Sequence, residues 1–469
     1  MKINYILKRL NVRPAFINHE VSGLFIDSRK CINNSIFFLL DSNKQYLDDA
    51  IKNGAKTIIT TENCYTSNKI NFIKVLYVRK AIADIAKIYY KNISNKVNLI
   101  GFTGTNGKTS CSSIAYYFFN SINRKSMLIG SNGIYYQNKK VLINNTTPDI
   151  LTIYKYIEIA YKLKIKYIFM EVSSIAVDQL RVEGLAFKVL ILTNLKQDHL
   201  DYHKTIDNYY NSKLKPFISL NENSYSVINI DDPNYIDFVK YTKSKIITYG
   251  FNNSDIKGKI YEISESGSIF SINNFPLKIK LLGEFNIYNC LAVSSLLTIF
   301  NISFIDYYNF LKDYNGVDGR MNKYRFNNRN IIIDYAHTYS AVNEVINYTK
   351  NICKNNLYII IGCGGNREKE KRFMIGKLLN EVDANIILTT DNPRFEEPMD
   401  IINDIKKEIN KDIKIYINRR EAIIESLKVL EENDYLLILG KGSEPYIDIK
   451  GVKYKYNDLE IIYEYYQLS

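Results

Sequence analysis

The chain has 469 residues, of which 46% are hydrophobic and 24% charged, and a formal net charge of +13. At roughly 150 residues per domain this predicts about three domains with large buried cores and excludes a disordered chain. No apolar run approaches the ~20 residues of a membrane span, and the first dozen or so residues lack a signal-peptide pattern, so a cytoplasmic protein without membrane insertion is expected.

The lysines are dispersed, Tyr is abundant and Trp absent. The positive charge therefore reads as compositional drift rather than a basic patch, and no nucleic-acid partner is expected. An anionic substrate such as a nucleotide would suit it. Cys31, Cys64, Cys111, Cys290, Cys353 and Cys363 are scattered without a C-x-x-C pair, so reduced thiols are expected rather than a zinc ribbon or disulfide framework.

Three blocks follow one another. Residues 1–94 carry short apolar runs, at 23–27 and 57–60, between helix-like stretches. Residues 95–322 open on a strand-like segment at 97–101. Residues 323–469 alternate apolar runs at 330–334, 357–361, 384–389 and 435–439 with helical stretches. Short apolar runs separated by helix-length segments predict parallel sheets with crossover helices. The expected fold class is α/β, with three domains built on mostly parallel sheets. The Asn-rich stretch 327–330 reads as a loop.

The sequence GFTGTNGKT at 101–109 lies between the strand-like segment and a helix-like run at 111–119. Glycines there let backbone amides approach phosphate oxygens, and the helix N-terminus adds partial positive charge. Gly104, Thr105, Asn106 and Gly107 would form this cradle. Lys108 would reach the β- and γ-phosphates, and the Thr109 hydroxyl would hold Mg²⁺. Five residues rather than four separate Gly101 from Gly107, a departure from the generic pattern. This T-G-T-N-G-K-T form resembles the loop of the Mur ligases and of the related folylpolyglutamate synthetases. Such enzymes activate a carboxylate with ATP as an acyl phosphate, which an amine then attacks.

Further motifs in the central block resemble the Mur ligase family. NTTPD at 145–149 and MEVSS at 170–174 are similar to its substrate loop and E-V-S-S segment, with Ile175 where the family has His. The resemblance implies that Glu171 binds Mg²⁺. It also implies that Asn145, Thr146, Thr147, Ser173, Gln179 and Arg181 contact a uridine-nucleotide substrate. TNLKQDHLDYH at 193–203 matches a family motif nearly position for position, which makes His199 a second metal ligand. Lys213 stands where the family carries a carbamylated lysine (N6-carboxylysine), implying two Mg²⁺ sites held through Thr109, Glu171, His199 and Lys213. Lys108, Glu171, His199 and Lys213 are thus the implied catalytic set. GEFNIYN at 283–289 and GVDGRM at 316–321 imply that Asn286 faces adenine and Arg320 the ATP phosphates.

In the third block DYAHT at 334–338 resembles a nucleotide-contacting motif, implying ATP contacts for Asp334 and His337. GCGGNREKEKR at 362–372 resembles a family segment with Asn366 in place of Asp, and DNPR at 391–394 resembles the tetrapeptide of diaminopimelate-adding members. Diaminopimelate has a second carboxylate that Arg394 can grip bidentately. Asp391, Asn392, Pro393, Gly440 and Glu444 would complete that subsite, and Arg367 would bind the carboxylate beside the reacting amine. In the first block the D-S-R element at 27–29 implies a UDP contact for Ser28.

The resemblance implies a substrate-binding first domain, a central P-loop-type ATPase domain with a mostly parallel sheet and a Rossmann-like C-terminal domain, and as reaction the addition of meso-diaminopimelate to UDP-N-acetylmuramoyl-L-alanyl-D-glutamate by a monomer using ATP and Mg²⁺. A lysine-adding member and a folylpolyglutamate synthetase-like ligase are alternatives that DNPR speaks against. GKGSE at 440–444 resembles the family's G-K-G-H-E, with Ser443 in place of His. The departures Ile175, Asn366 and Ser443 suit a third reading, a non-catalytic scaffold or binding protein. Retention of Lys108, Glu171, His199 and Lys213 speaks against it.

Overall fold

The computed structural model describes residues 1–41, 43–62 and 68–468; Cys64 lies outside them. The other five cysteines are free. Among the described residues, no helix is long and apolar enough to cross a membrane.

The first block holds a four-stranded parallel sheet, Leu24–Phe25, Ser35–Phe38, Ala55–Thr60 and Asn71–Lys74, paired in chain order. The helix Val78–Tyr89 buries Val78, Ile82, Ala83, Ile85 and Ala86, a helical period that gives it one apolar face. That face belongs to a core continuous with one side of the central sheet, running from Ile3 to Phe238. Tyr90 and Tyr154 stack across this junction with ring centroids 5.3 Å apart. His19 is a satisfied core histidine, its Nε2 2.7 Å from Thr57 Oγ1.

The central sheet has eleven strands. Its parallel middle runs, in spatial order, Lys245–Gly250, Tyr225–Asn229, Phe187–Leu192, Asn98–Thr103, Tyr167–Glu171 and Ser126–Gly130. An antiparallel meander, Ile256–Ser264 to Phe275–Ile279, extends one edge, and Gly133–Tyr136 with Lys139–Val141 extends the other. Along Asn98–Thr103 the side chains alternate between faces: Leu99 enters the core shared with the first block, and Ile100 and Phe102 the opposite one. From this strand the chain first builds on one side, then crosses to Phe187–Leu192 on the other. Strand order therefore reverses at Asn98–Thr103, and a crevice opens beyond the carboxyl ends at such a switch point.

The third sheet repeats the device. Arg329–Asp334, Tyr435–Leu439, Leu357–Ile361, Asn385–Thr389 and Lys414–Tyr416 are parallel, with Asn322–Phe326 antiparallel at one edge. Tyr435–Leu439 inserts last, between the first two parallel strands laid down, so a second switch point lies at its carboxyl end. The segments beginning at Asp334, Gly362, Asp391 and Gly440 all leave this one end of the sheet. Of the stretch 327–330, positions 327–328 form the turn, whereas Arg329 and Asn330 already pair in the strand.

Candidate active site

The two switch points face each other across a cleft of ≈ 780 Å³. Gly104 and Gly107 take φ of 144° and 84°, where side chains are strained. Space is closed as well: a Cβ on Gly104 would lie 1.9 Å from Thr193 Oγ1. The loop is braced from the next strand end. Asn194 Oδ1 accepts the Asn106 amide at 3.0 Å, and Thr193 Oγ1 donates to the Asn106 carbonyl at 2.6 Å. The helix Lys108–Ser121 starts here with Gly107 as its N-cap. Lys108 Nζ folds back onto the carbonyls of Gly104 and Thr105, at 2.9 and 2.8 Å.

Glu171 ends its strand almost fully buried. Its carboxylate accepts from Thr109 Oγ1 at 2.9 Å, from the Ser131 amide at 2.7 Å and from Ser131 Oγ at 3.1 Å. Gly130 makes room for it, since a Cβ there would lie 2.3 Å from Glu171 Oε1.

His199, at a left-handed φ of 57°, has Nε2 3.5 Å from Asp198 Oδ2. Burial pushes His199 down to about 4 against the pull of Asp198. Burial works on Asp198 in the opposite sense, but His199, Lys371 and His337 outweigh it and hold the carboxyl well below its usual range. At neutral pH the pair is an uncharged imidazole beside a carboxylate. Lys213, from the helix Ile206–Ile218, is 1% exposed. Its Nζ donates to the Gly104 carbonyl at 2.8 Å and lies 4.6 Å from the Tyr209 ring centre. Burial, and then the Lys108 charge, push Lys213 well below the ordinary lysine value.

Arg320 bridges the two sheets, its Nη2 3.4 Å from Thr109 Oγ1 and its guanidinium 4.2 Å from the Tyr335 ring centre. Asn286 lines the cleft, its Nδ2 bonded to the Leu282 carbonyl. Asp334 also lines it, but its carboxylate accepts the Met321 and Ala336 amides at 2.8 and 2.7 Å. That shapes the interdomain turn. His337 holds the Tyr335 carbonyl through Nδ1 at 2.9 Å.

On the opposite wall, Asn392, Arg394, Gly440, Glu444 and Arg367 line the cleft beside Asp391. Asn392 Nδ2 donates to Glu444 Oε2 at 2.8 Å, and Arg394 Nη1 to the Gly365 carbonyl at 2.7 Å. Arg367 reaches across to Asp201, 3.8 Å away. Pro393 stands behind them, its carbonyl accepting the Glu396 amide.

Not every residue singled out in the sequence meets this cleft. Thr146 and Ser173 line it. Thr147, Gln179 and Arg181 form a network beside it: Arg181 Nη1 donates to the Thr147 carbonyl at 2.9 Å and its Nη2 to Gln179 Oε1 at 2.6 Å. Asn145 is exposed, and Ser28 sits in the first block on the turn Ser28–Lys30; neither lines the cleft.

Other residues of the site received no role from the sequence. Asp198 lies inside the quoted 193–203 motif, Lys441 inside GKGSE and Arg372 at the end of 362–372. Their motifs were visible, but their partners were not. Arg372, 1% exposed, grips Glu396 bidentately at 2.8 and 2.9 Å and also reaches Asp404 and the Gly364 carbonyl. Glu396 in turn accepts the Asn366 amide, and Asn366 Oδ1 the Phe395 amide. The loops carrying Arg367 and Arg394 are thereby joined.

This arrangement can be set beside known proteins. Residues 102–297 match the Mur ligase middle domain, and 319–442 the Mur ligase glutamate ligase domain. The UDP-N-acetylmuramoyl-L-alanyl-D-glutamate–2,6-diaminopimelate ligase of Bacteroides fragilis is 35% identical over 100% of both chains. The chain belongs to the Mur ligase family. The ligase of the same name from Clostridium perfringens is 36% identical over 99% of each chain. A solved structure with that title superposes at a TM-score of 0.69 with 27% identity, covering 100% of this chain and 99% of the other.

Mur ligases use ATP and Mg²⁺, and the cleft suits both. Among the described residues no three His, Cys, Asp or Glu side chains converge on one point. Mg²⁺ is commonly held by one or two carboxylates plus substrate phosphates and waters. Glu171, buried beside the phosphate loop with hydroxyl and amide donors around its carboxylate, has the chemistry for that.

Proposed function

We infer that this Mur ligase is an ATP-dependent amide-bond ligase that adds meso-diaminopimelate to UDP-N-acetylmuramoyl-L-alanyl-D-glutamate in peptidoglycan precursor synthesis. One observation carries the reading: Lys108 of the phosphate loop and Arg394 and Glu444 of the amino-acid loops line the same cleft. We further propose that it acts as a monomer in the cytoplasm. Its three units would be 1–94 for the UDP moiety, 95–322 for ATP and 323–469 for the amino acid.

The amides of the 104–107 loop and the start of the helix Lys108–Ser121 would take the phosphates, with Lys108 and Arg320 on the oxygens that gain charge. Asn286 would face adenine, with His337 and Asp334 at the interdomain edge of the nucleotide. Thr109 and Glu171 would hold one Mg²⁺. His199 and a carbamylated Lys213 would hold a second. When bound, the metals would screen the phosphate and acyl-phosphate charge. Burial disfavours the charged form of Lys213, and carbamate formation with carbon dioxide needs the free amine, which supports that role.

Thr146, Thr147, Ser173, Gln179 and Arg181 would hold the muramoyl peptide, with Asn145 and Ser28 farther along the nucleotide. An oxygen of the D-glutamyl carboxylate attacks the γ-phosphorus, and ADP leaves. The free amine of diaminopimelate then attacks the acyl carbon. The amide forms, a proton is lost, and inorganic phosphate departs with one former carboxylate oxygen. Arg394 would grip the distal carboxylate, Glu444 and Asn392 the distal ammonium, and Arg367 the carboxylate beside the reacting amine. Asp391, Pro393 and Gly440 would shape that subsite. Closure of the cleft over the bound substrates would keep water from the acyl phosphate.

A substrate labelled with heavy oxygen in the D-glutamyl carboxylate tests the chemistry. Label in the released phosphate, with UDP-muramoyl tripeptide as product, is the expected result. Unlabelled phosphate with tripeptide formed would refute the acyl phosphate.

A further inference from the structure

Lys441 is 1% exposed, yet its side chain lies in the amino-acid wall of the cleft. Flanking Gly440 and Gly442 take φ of 104° and 53°, so the backbone folds tightly and turns the lysine inward. Its Nζ donates to Glu444 Oε2 at 2.7 Å and to Asn392 Oδ1 at 3.2 Å. The rings of Tyr446 and Tyr456 lie 5.9 and 5.8 Å from the same atom. Glu444 and Asn392 line the cleft; Lys441 stands behind them.

The geometry has two consequences. Asn392 Oδ1 is occupied by two donors, Lys441 Nζ and the Asp448 amide at 2.8 Å. The amide therefore has one orientation that satisfies its neighbours, with Nδ2 toward Glu444. Glu444, meanwhile, has a fixed positive partner before any amino acid arrives. A partly buried carboxylate without one would turn away toward water.

We propose that Lys441 is a specificity-positioning residue: it holds the Glu444 carboxylate aimed, and Asn392 in one amide orientation, so that the pair receives the distal ammonium of the amino-acid substrate. This inference rests on the function proposed above. Lys441 touches neither the reacting amine nor the phosphates in this assignment. Its loss would therefore weaken amino-acid binding and leave nucleotide binding intact.

Steady-state kinetics of Lys441→Met, Glu444→Gln and the double variant, with ATP and diaminopimelate varied separately, test it. The expected result is a diaminopimelate KM raised by about tenfold or more in Lys441→Met, as for loss of a hydrogen bond to a charged group, with the ATP KM unchanged. The double variant should fall clearly short of the summed effects of the two single variants, because the lysine acts in part through that carboxylate. An unchanged diaminopimelate KM, a parallel rise in both KM values, or additive effects would overturn the proposal. Should the methionine variant unfold, Lys441→Gln, which keeps a donor at the position, must show the same split between the two KM values; a parallel rise there overturns it equally. A wild-type chain that releases no ADP with diaminopimelate would overturn the function itself, and the inference with it.

Discussion

Lys108 and Lys213 donate to the same acceptor: the carbonyl oxygen of Gly104 lies 2.9 Å from one Nζ and 2.8 Å from the other. Two buried amines on one oxygen cannot both keep a full charge without cost, and both are pushed below the ordinary lysine value, by burial first. The triphosphate would restore the charge on Lys108, while carbamylation would turn Lys213 into an anion.

Substituting either lysine by methionine should therefore lower turnover by at least about 100-fold, the usual scale for a lost charge-stabilising group. The two variants should differ in another measurement. Labelled bicarbonate should be incorporated by wild type and Lys108→Met, but not by Lys213→Met. Equal labelling in all three would remove the carbamate from the mechanism.

Arg394 is aimed by its bond to the Gly365 carbonyl at 2.7 Å. Arg394→Ala should raise the diaminopimelate KM by about 10- to 100-fold, as expected for a lost hydrogen bond to a charged group. The ATP KM should stay unchanged. Initial rates with each substrate varied in turn provide the check.

The glycine-rich loop at 101–109 is legible in the sequence because it is a local run whose residue types carry their own chemistry, whereas the segments at 362–372 and 391–394 stand out only through their resemblance to the family. The strand ends that present them follow from short apolar runs. What the sequence hides is convergence. Lys213 meets Gly104 from 109 positions away, and Arg372 joins loops through Glu396 and Asp404. Lys441 looks like any lysine between glycines until its two partners are seen. Periodicity places a side chain on a face, but not opposite a particular residue of another element. The continuous core between the first block and the central sheet escaped for the same reason.

Gly319, at φ 74°, packs against the amino-acid loop so closely that a Cβ would lie 2.0 Å from the Ser443 amide nitrogen. It precedes Arg320, so that arginine and the Glu444 loop share one backbone contact. Gly319→Ala should cost about 1–3 kcal/mol of stability, the usual scale for a strained special backbone site. It should also raise the diaminopimelate KM. Thermal unfolding and initial rates measure the two effects; a variant unchanged in both would show that the contact yields freely.

His337 is half-buried in the cleft wall and pushed from 6.5 to about 3, chiefly by desolvation and then by the Lys371 charge. Below its ordinary value the unfolded chain binds a proton that the folded chain refuses, so stability is lost as pH falls from 6.5 toward 3. His337→Gln should flatten that part of the stability curve. Denaturant midpoints at pH values across the window measure it, and an unchanged slope would count against the neutral imidazole.

The most direct test is ADP release with ATP, Mg²⁺ and UDP-N-acetylmuramoyl-L-alanyl-D-glutamate, in parallel with meso-diaminopimelate and with L-lysine. Release that depends on diaminopimelate and is far slower with lysine is the expected result. Equal rates with both amino acids would contradict the Arg394 subsite, and no release with either would contradict the ligase.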